Sequence, residues 1–262
     1  MLRSLRTAAL GMSAQQLTID SISNNLANIN TTAYKKNSVE FQDLLYQTVQ
    51  SGGAEGRNDK MKPGEIQIGL GNKPVSTFRS FTQGAINETG NPLDLAINGK
   101  GFFQIMKADG GMAFTRDGAF RVNNMGEIVN INGQVMYPEI SVPDNVTGLQ
   151  ISEDGVINAT IEGQVDVEEL GQIEVVSFMN PAGLKAMGGN LYEETEASGQ
   201  PVFGVPGEDS LGSIAQGYLE QSNVDVVSEM INLIVAQRAY EINSKAIKTS
   251  DELLSITNSL KR

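Results

Sequence analysis

The chain has 262 residues, with 19 Lys and Arg against 31 Asp and Glu, a formal net charge of −12, and no Cys, His or Trp. An acidic balance of that size opposes binding to nucleic acid or to an anionic membrane surface and favours protein or sugar partners. The missing residue types remove thiol nucleophiles, disulfides, Cys/His zinc sites and every mechanism that needs an imidazole base, while the length allows a sizeable core in two compact units.

The opening stretch MLRSLRTAALGMSAQQ begins with two arginines and a short apolar run. Gly11 and Ser13 interrupt that run, and it continues amphipathic through Gln15 and Gln16, which is not the pattern of a cleaved export signal. No window approaches the roughly 18 apolar residues of a membrane span. Instead Leu5, Met12, Ile19 and Leu26 recur every seven residues, with Leu2, Ala9, Ile22 and Ile29 beside them. The spacing predicts one apolar helical stripe.

That helix runs into SNNLANINTTAYKK (23–36), dense in an amide residue that favours caps and turns over helix interiors. On a helix, Ser21, Asn24, Asn25, Asn28 and Thr32 share one face, opposite Ile19, Ile22, Leu26 and Ile29. A neutral amide donates and accepts, so such a face can pack against a copy of itself without like-charge repulsion. Asn28 or Asn30 can equally serve to end the helix. The two roles are compatible if the later residues terminate and the earlier ones pack.

All 8 prolines and all glycines but Gly11 lie between Gly52 and Gly217, so both ends are helix-permissive and the middle is not. Short alternating segments at 95–98, 101–106, 112–115, 119–123, 126–130 and 172–178 read as strands. They are punctuated by Asn98-Gly99, Asp109-Gly110, Asp117-Gly118, Asn132-Gly133 and Asp154-Gly155, a rhythm that predicts antiparallel hairpins in a sandwich or barrel. The flanks 52–74 and 181–217 are rich in Gly and Pro, and 65–68 and 75–78 can supply strands there.

The middle holds few candidates for chemistry. Acidic DVEE (166–169) and YEETE (192–196) sit in loop-like settings without an apolar pocket to raise a carboxyl pKa, so solvated surface is the better reading than paired glycosidase carboxylates. GEDS (207–210) and ISEDG (151–155) lack the full EF-hand spacing and read as turns. GLGNKP (69–74) and NGKGFF (98–103) lack both the phosphate-loop spacing and a following helix. No catalytic, cofactor-binding or metal-binding residues are assigned.

At the C-terminal end, Val226, Leu233, Tyr240, Ile247 and Leu254 again recur every seven residues, flanked by Ala239, Ala246, Leu253 and Leu260. Residues 218–262 contain neither Gly nor Pro, and a helix over most of that span is about 60 Å long. Two helices of this kind suit coiled-coil packing or, alternatively, docking as surface helices on a globular core. Isolated helices need tertiary packing, so the two ends require each other or neighbouring subunits. The expected fold is mixed α and mainly β. Residues 1–32 with 222–262 form a helical assembly domain, 33–86 with 181–221 a connector subdomain, and 87–180 an all-β domain.

MLRSLRTAALGMSAQQLTIDSISNNLANINTTAYKK resembles the N-terminal signature of the flagellar rod and hook protein family of bacteria, and SNVDVVSEMINLIVAQRAYEINSKAIKTSDELL (222–254) its C-terminal signature. NPLDLAINGKGFFQI, AFTRDGAFRVNNMGEIVN and FMNPAGLKAMGGNLYEETEASGQP are similar to segments of the family's rod members. Residues 41–53 with 61–86 are similar to the connector of those members, from which 53–60 departs most. The resemblance implies a non-enzymatic subunit of the distal rod, a rigid helical tube across the periplasm that transmits torque and encloses an export channel. It implies partners in copies of itself, adjoining rod and hook proteins, surrounding ring proteins and the flagellar export apparatus, with no cleaved signal. It further implies an inner wall of paired terminal helices, with the all-β domain facing outward. The assembly contacts are then expected at Leu5, Met12, Ile19, Asn24, Asn25, Leu26, Asn28, Val226, Leu233, Tyr240, Ile247 and Leu254. Another rod or hook member is the alternative within the family, and a secreted β-rich enzyme or adhesin the alternative outside it.

Overall fold

A computed structural model describes residues 2–50, 66–143, 145–161, 167–208 and 210–260. The connector segment 53–60, together with Asp166 and Asp209 of the acidic stretches, lies outside the described residues. The chain divides into two units, one of residues 1–26, 37–78 and 225–262, the other of 27–36 and 79–224. The chain therefore passes between units after residues 26, 36, 78 and 224.

The first unit contains helix α1, Leu2–Ala27, and helix α2, Val226–Ser259. Asp225 caps α2, accepting from the backbone N–H groups of Val227 and Ser228 at 3.3 Å each, which satisfies donors that a helix start otherwise leaves unpaired. The helix thus begins later than the Gly/Pro-free span suggests, and its 34 residues make it about 50 Å long. Residues Tyr218–Glu220 ahead of it form a strand instead, paired with Ile86–Glu88. The helices approach where α1 carries Gly11: a Cβ there would lie 2.9 Å from Asn243 Nδ2. On α2, Glu229 and Ala236 are buried and Leu233, Asn243, Ile247, Ser250 and Leu254 half-buried, whereas Val227, Ile231, Ile234, Val235 and Ile242 are exposed. Strands Asn37–Asp43 and Asn72–Arg79 pair in the same unit, as do Tyr46–Gln50 and Ile66–Gly69. They expose Tyr46, Val49, Ile66 and Val75, and Leu45 between two of them is exposed as well.

The second unit is built on a five-stranded antiparallel sheet in the order Met136–Tyr137, Phe103–Met106, Met112–Thr115, Leu191–Glu193, Lys185–Gly188. Period-two alternation decides its faces: Phe103 and Ile105 enter the main core with Leu95, Phe120, Ile157, Ile173 and Ile214. Phe102, Phe114 and Tyr192 form a second cluster with Val176 and Phe178. A meander of Val146–Ile151, Val156–Ile161 and Val167–Gln172 and the pairs Leu95–Asn98 with Ser213–Gln216 and Val175–Ser177 with Val202–Gly204 complete it. Asp109-Gly110 and Asp154-Gly155 close hairpins as their composition predicts, with glycine φ angles of 81° and 79°. Asn98-Gly99 and Asp117-Gly118 do not. Strand Leu95–Asn98 pairs with Ser213–Gln216, and Gly118 is required by close approach, since a Cβ there would overlap the Leu95 carbonyl oxygen at 1.6 Å.

Gln104, fully buried in the middle of the sheet, has neither amide nitrogen nor amide oxygen hydrogen-bonded. An orphaned buried amide costs about 1–3 kcal/mol. Gln104→Met, nearly isosteric and apolar, is expected to raise stability by about that amount, read as a higher urea midpoint at unchanged m-value. An unchanged or lower midpoint counts against the assignment.

Candidate assembly site

The amides after α1 act within the chain. Asn25 is buried; its Oδ1 accepts from Asn37 N at 2.9 Å and its Nδ2 donates to Asn37 O at 2.8 Å. The side chain thus reproduces the two bonds that a neighbouring strand would make to Asn37. Nδ2 also donates to Glu229 Oε2 of α2 at 3.1 Å, and Ser21 Oγ donates to Asn37 O at 3.0 Å. One uncharged group with both donors and an acceptor joins the end of α1, the start of a strand and the first turn of α2.

A second amide does the equivalent in the β-rich unit. Asn223 Oδ1 accepts from Lys36 N at 2.6 Å, while Nδ2 donates to Ser80 O at 2.9 Å, Thr82 O at 3.1 Å and Thr82 Oγ1 at 3.0 Å. Lys36, Ser80 and Asn223 all lie within three residues of a passage between units.

Glu220 makes the deepest connection in that unit. Its Oε1 accepts from Lys35 Nζ at 2.6 Å and from Gly84 N at 2.9 Å, and its Oε2 accepts from Arg116 Nε at 3.0 Å, with Arg116 Nη2 in ion-pair contact at 3.0 Å. Lys35 also donates to Thr82 O at 2.8 Å, and Arg116 Nη1 to Gly99 O and Gly101 O at 2.7 Å each. Lys35 and Glu220 have side chains 0% exposed and Arg116 4%. Burial pushes the Lys35 ammonium below the ordinary lysine pKa, and the Glu220 carboxylate opposes that shift. Charges so enclosed persist only with this density of partners.

Of the residues expected at assembly contacts, Asn25 is buried and Leu5, Met12, Ile19, Leu26, Asn28, Leu233, Ile247 and Leu254 are half-buried within the single chain. Asn24, Val226 and Tyr240 are exposed. The single helical face drawn through Asn28 and Thr32 needs correction, because α1 ends at Ala27. Asn28 instead starts the exit turn, its carbonyl accepting from Thr31 N and its Oδ1 from Thr31 Oγ1, each at 3.1 Å. Glu168 and Glu169 of the acidic stretches are exposed, and Glu193 pairs with Lys107 at 3.1 Å. Sequence reasoning missed Lys35, Arg116, Glu220, Asn223 and Glu229, for which the only local signal is the charge or amide itself.

Comparison with known proteins gives this geometry its context. Residues 5–35 match the profile of the flagella basal body rod protein, 96–159 that of the flagellar hook protein FlgE/F/G D1 domain, and 215–260 that of the flagellar basal body rod FlgEFG protein C-terminal region. The chain is 47% identical over 264 residues to the flagellar basal-body rod protein FlgG of Borreliella burgdorferi, covering 100% of both. The chain belongs to the FlgG family of flagellar basal-body rod proteins. Its identity to the FlgG of Caulobacter vibrioides is 46% over 261 residues, covering 99% of this chain and 100% of the other, and to that of Bacillus subtilis 38% over 276 residues, covering 100% of both. As a FlgG family member it is a structural rod protein, not an enzyme. The three matched regions, far apart in sequence, supply Lys35, Arg116 and Glu220 respectively, so the buried cluster is where they meet.

Two substitutions test these roles. Asn25→Asp removes the donor to Asn37 O and sets a carboxylate against Glu229. It is expected to cost about 2–4 kcal/mol, measured by urea unfolding followed by helical circular dichroism; a wild-type midpoint excludes the intrachain role. Glu220→Gln leaves two buried cations without an anion and is expected to cost about 3–5 kcal/mol. A loss below about 1 kcal/mol, the range of an exposed pair, contradicts the burial argument.

Proposed function

We propose that the chain is a subunit of the distal rod that polymerises into a rigid helical tube, transmitting torque from motor to hook and enclosing the export channel. The observation that carries the reading is the unpartnered apolar face of α2, where Val227, Ile231, Ile234, Val235 and Ile242 are each more than half exposed. The opposite side of the same helix carries the buried Glu229 and Ala236. A helix apolar on nearly all sides is found buried on all sides, and each such side chain covered by a neighbour contributes roughly 1.5–3 kcal/mol.

Pairing of α1 with α2 as an antiparallel coiled coil forms the inner wall in this reading. It is supported by the two places where they meet, Asn25 with Glu229 and Gly11 with Asn243. These are fourteen residues apart on each helix and run in opposite directions, which is two heptads. Leu5, Met12, Ile19, Leu26, Val226, Leu233, Tyr240, Ile247 and Leu254 lie along this pair as assembly contacts, with Asn24, Asn25 and Asn28 at its end. Residues 41–70 lock adjacent subunits against sliding, a role supported by the exposed Leu45, Tyr46, Val49, Ile66 and Ile68. The further partners are adjoining rod and hook proteins, the surrounding rings and the export apparatus, with the rod in the periplasm and no signal peptide removed. No described helix is long and apolar enough to cross a membrane.

Ile234→Asp tests the reading. The exposed site is expected to leave the monomer's urea midpoint within about 0.5 kcal/mol of wild type while rods containing the subunit disappear from electron micrographs of basal bodies. Full-length rods with this variant refute it. For the connector, replacing Leu45 and Val49 by Asp is expected to give bent or shortened rods; straight rods of normal length remove that role.

A further inference from the structure

The β-rich unit has a surface cavity of about 440 Å3 that the buried cluster borders but does not fill. Its walls are Phe81, Phe102 and Phe178, with Phe102 held edge to face against Phe81 at 5.4 Å and Phe178 at 5.7 Å between ring centres. Arg116, buried, and Lys100 and Met179, both exposed, also line it. Met179 is 97% exposed although the adjoining Phe178 is buried, an unusual position for a large apolar side chain.

The cavity is built before anything enters it. Arg116 Nη1 holds the carbonyls of Gly99 and Gly101 at 2.7 Å each, and Gly212 N donates to Lys100 O at 2.7 Å. Gly101 has φ +143°, and a Cβ there would lie 2.1 Å from Val175 Cγ1, so the loop tolerates no side chain on that side. The Lys100 backbone is therefore fixed while its ammonium remains exposed. Among the described residues no Asp or Glu lines the cavity, on a chain whose formal net charge is −12. An aromatic cavity with a cationic rim is complementary to the rest of this chain's own surface, and complementarity of that kind sets partner choice and register.

We propose that this cavity docks a second copy of the chain, taking an acidic segment whose carboxylate pairs with Lys100 and whose apolar side chain enters beneath Met179. The inference rests on the reading of the chain as a self-assembling rod subunit and specifies one of its contacts. Rigid aromatic walls around a desolvated centre with a charged rim are the anatomy of an interface hot spot.

The test uses the full-length chain in cells that build rods from it, with a photo-crosslinking p-benzoylphenylalanine in place of Met179. Irradiated rods are expected to yield subunit–subunit dimers, absent from the free monomer, whose crosslinked peptide contains Asp or Glu. Lys100→Glu is expected to lower rod number about tenfold and Lys100→Arg to restore it, because reversal turns an attraction into a repulsion at unchanged size. Rods that form normally with Lys100→Glu overturn the proposal and leave the rod reading intact. So does a crosslink only to a different protein, to a small molecule or to nothing. Absence of the wild-type chain from rods overturns both.

Discussion

The carboxylate of Glu220 receives hydrogen bonds from Lys35, Gly84 and Arg116, and the order of the β-rich unit's chain ends depends on it. Lys35 belongs to the short segment 27–36, Gly84 to the start of the long segment, and Glu220 to the strand before its exit. Arg116 extends the connection to the loop at Gly99 and Gly101. A buried ion pair is a poor source of net stability, since desolvation offsets most of the attraction. Its value is selectivity: any arrangement that displaces one segment strands a charge in a dry interior, so alternatives are penalised far more than the native state is favoured.

The neutral amides extend this logic to positions where a charge would be harmful. Backbone groups at points where a chain leaves a compact body lack strand or helix partners, yet still need them when buried. Asn25 supplies both bonds to Asn37, and Asn223 satisfies Lys36, Ser80 and Thr82. Asp at either position offers no donor, and Leu offers neither function. The apolar face of α2, with Val227, Ile231, Ile234, Val235 and Ile242, stays exposed beside these contacts.

Much of the architecture is readable from local pattern. The heptads placed both helices, Asp-Gly pairs placed the hairpins at 109–110 and 154–155, and the absent Cys and His removed most active-site chemistry. The errors share one physical origin, which is that tertiary contacts override local preference. Asn28 and Thr32 fit a helical face, but α1 ends at Ala27 and Asn28 serves a turn. The span from 218 is helix-permissive, but Tyr218–Glu220 is drawn into a strand pair and Asp225 sets the helix start. Lys35 and Glu220 are 185 residues apart, and no periodicity links them. Periodicity also cannot tell which repeat positions the chain itself covers, so exposed Val226 and half-buried Leu233 belong to the same sequence repeat.

Native-state hydrogen exchange in graded denaturant tests the role of Glu220 most directly. The amide of Ala33 donates to Glu220 O and that of Gly84 to the Glu220 carboxylate, while the amides of the strand Phe103–Met106 report on the central sheet. If the buried cluster makes the unit's chain ends part of one cooperative body, Ala33 and Gly84 open only with the sheet, at the same free energy and denaturant dependence. Exchange of Ala33 and Gly84 through small local fluctuations, several kcal/mol below the opening of the sheet, would contradict the account.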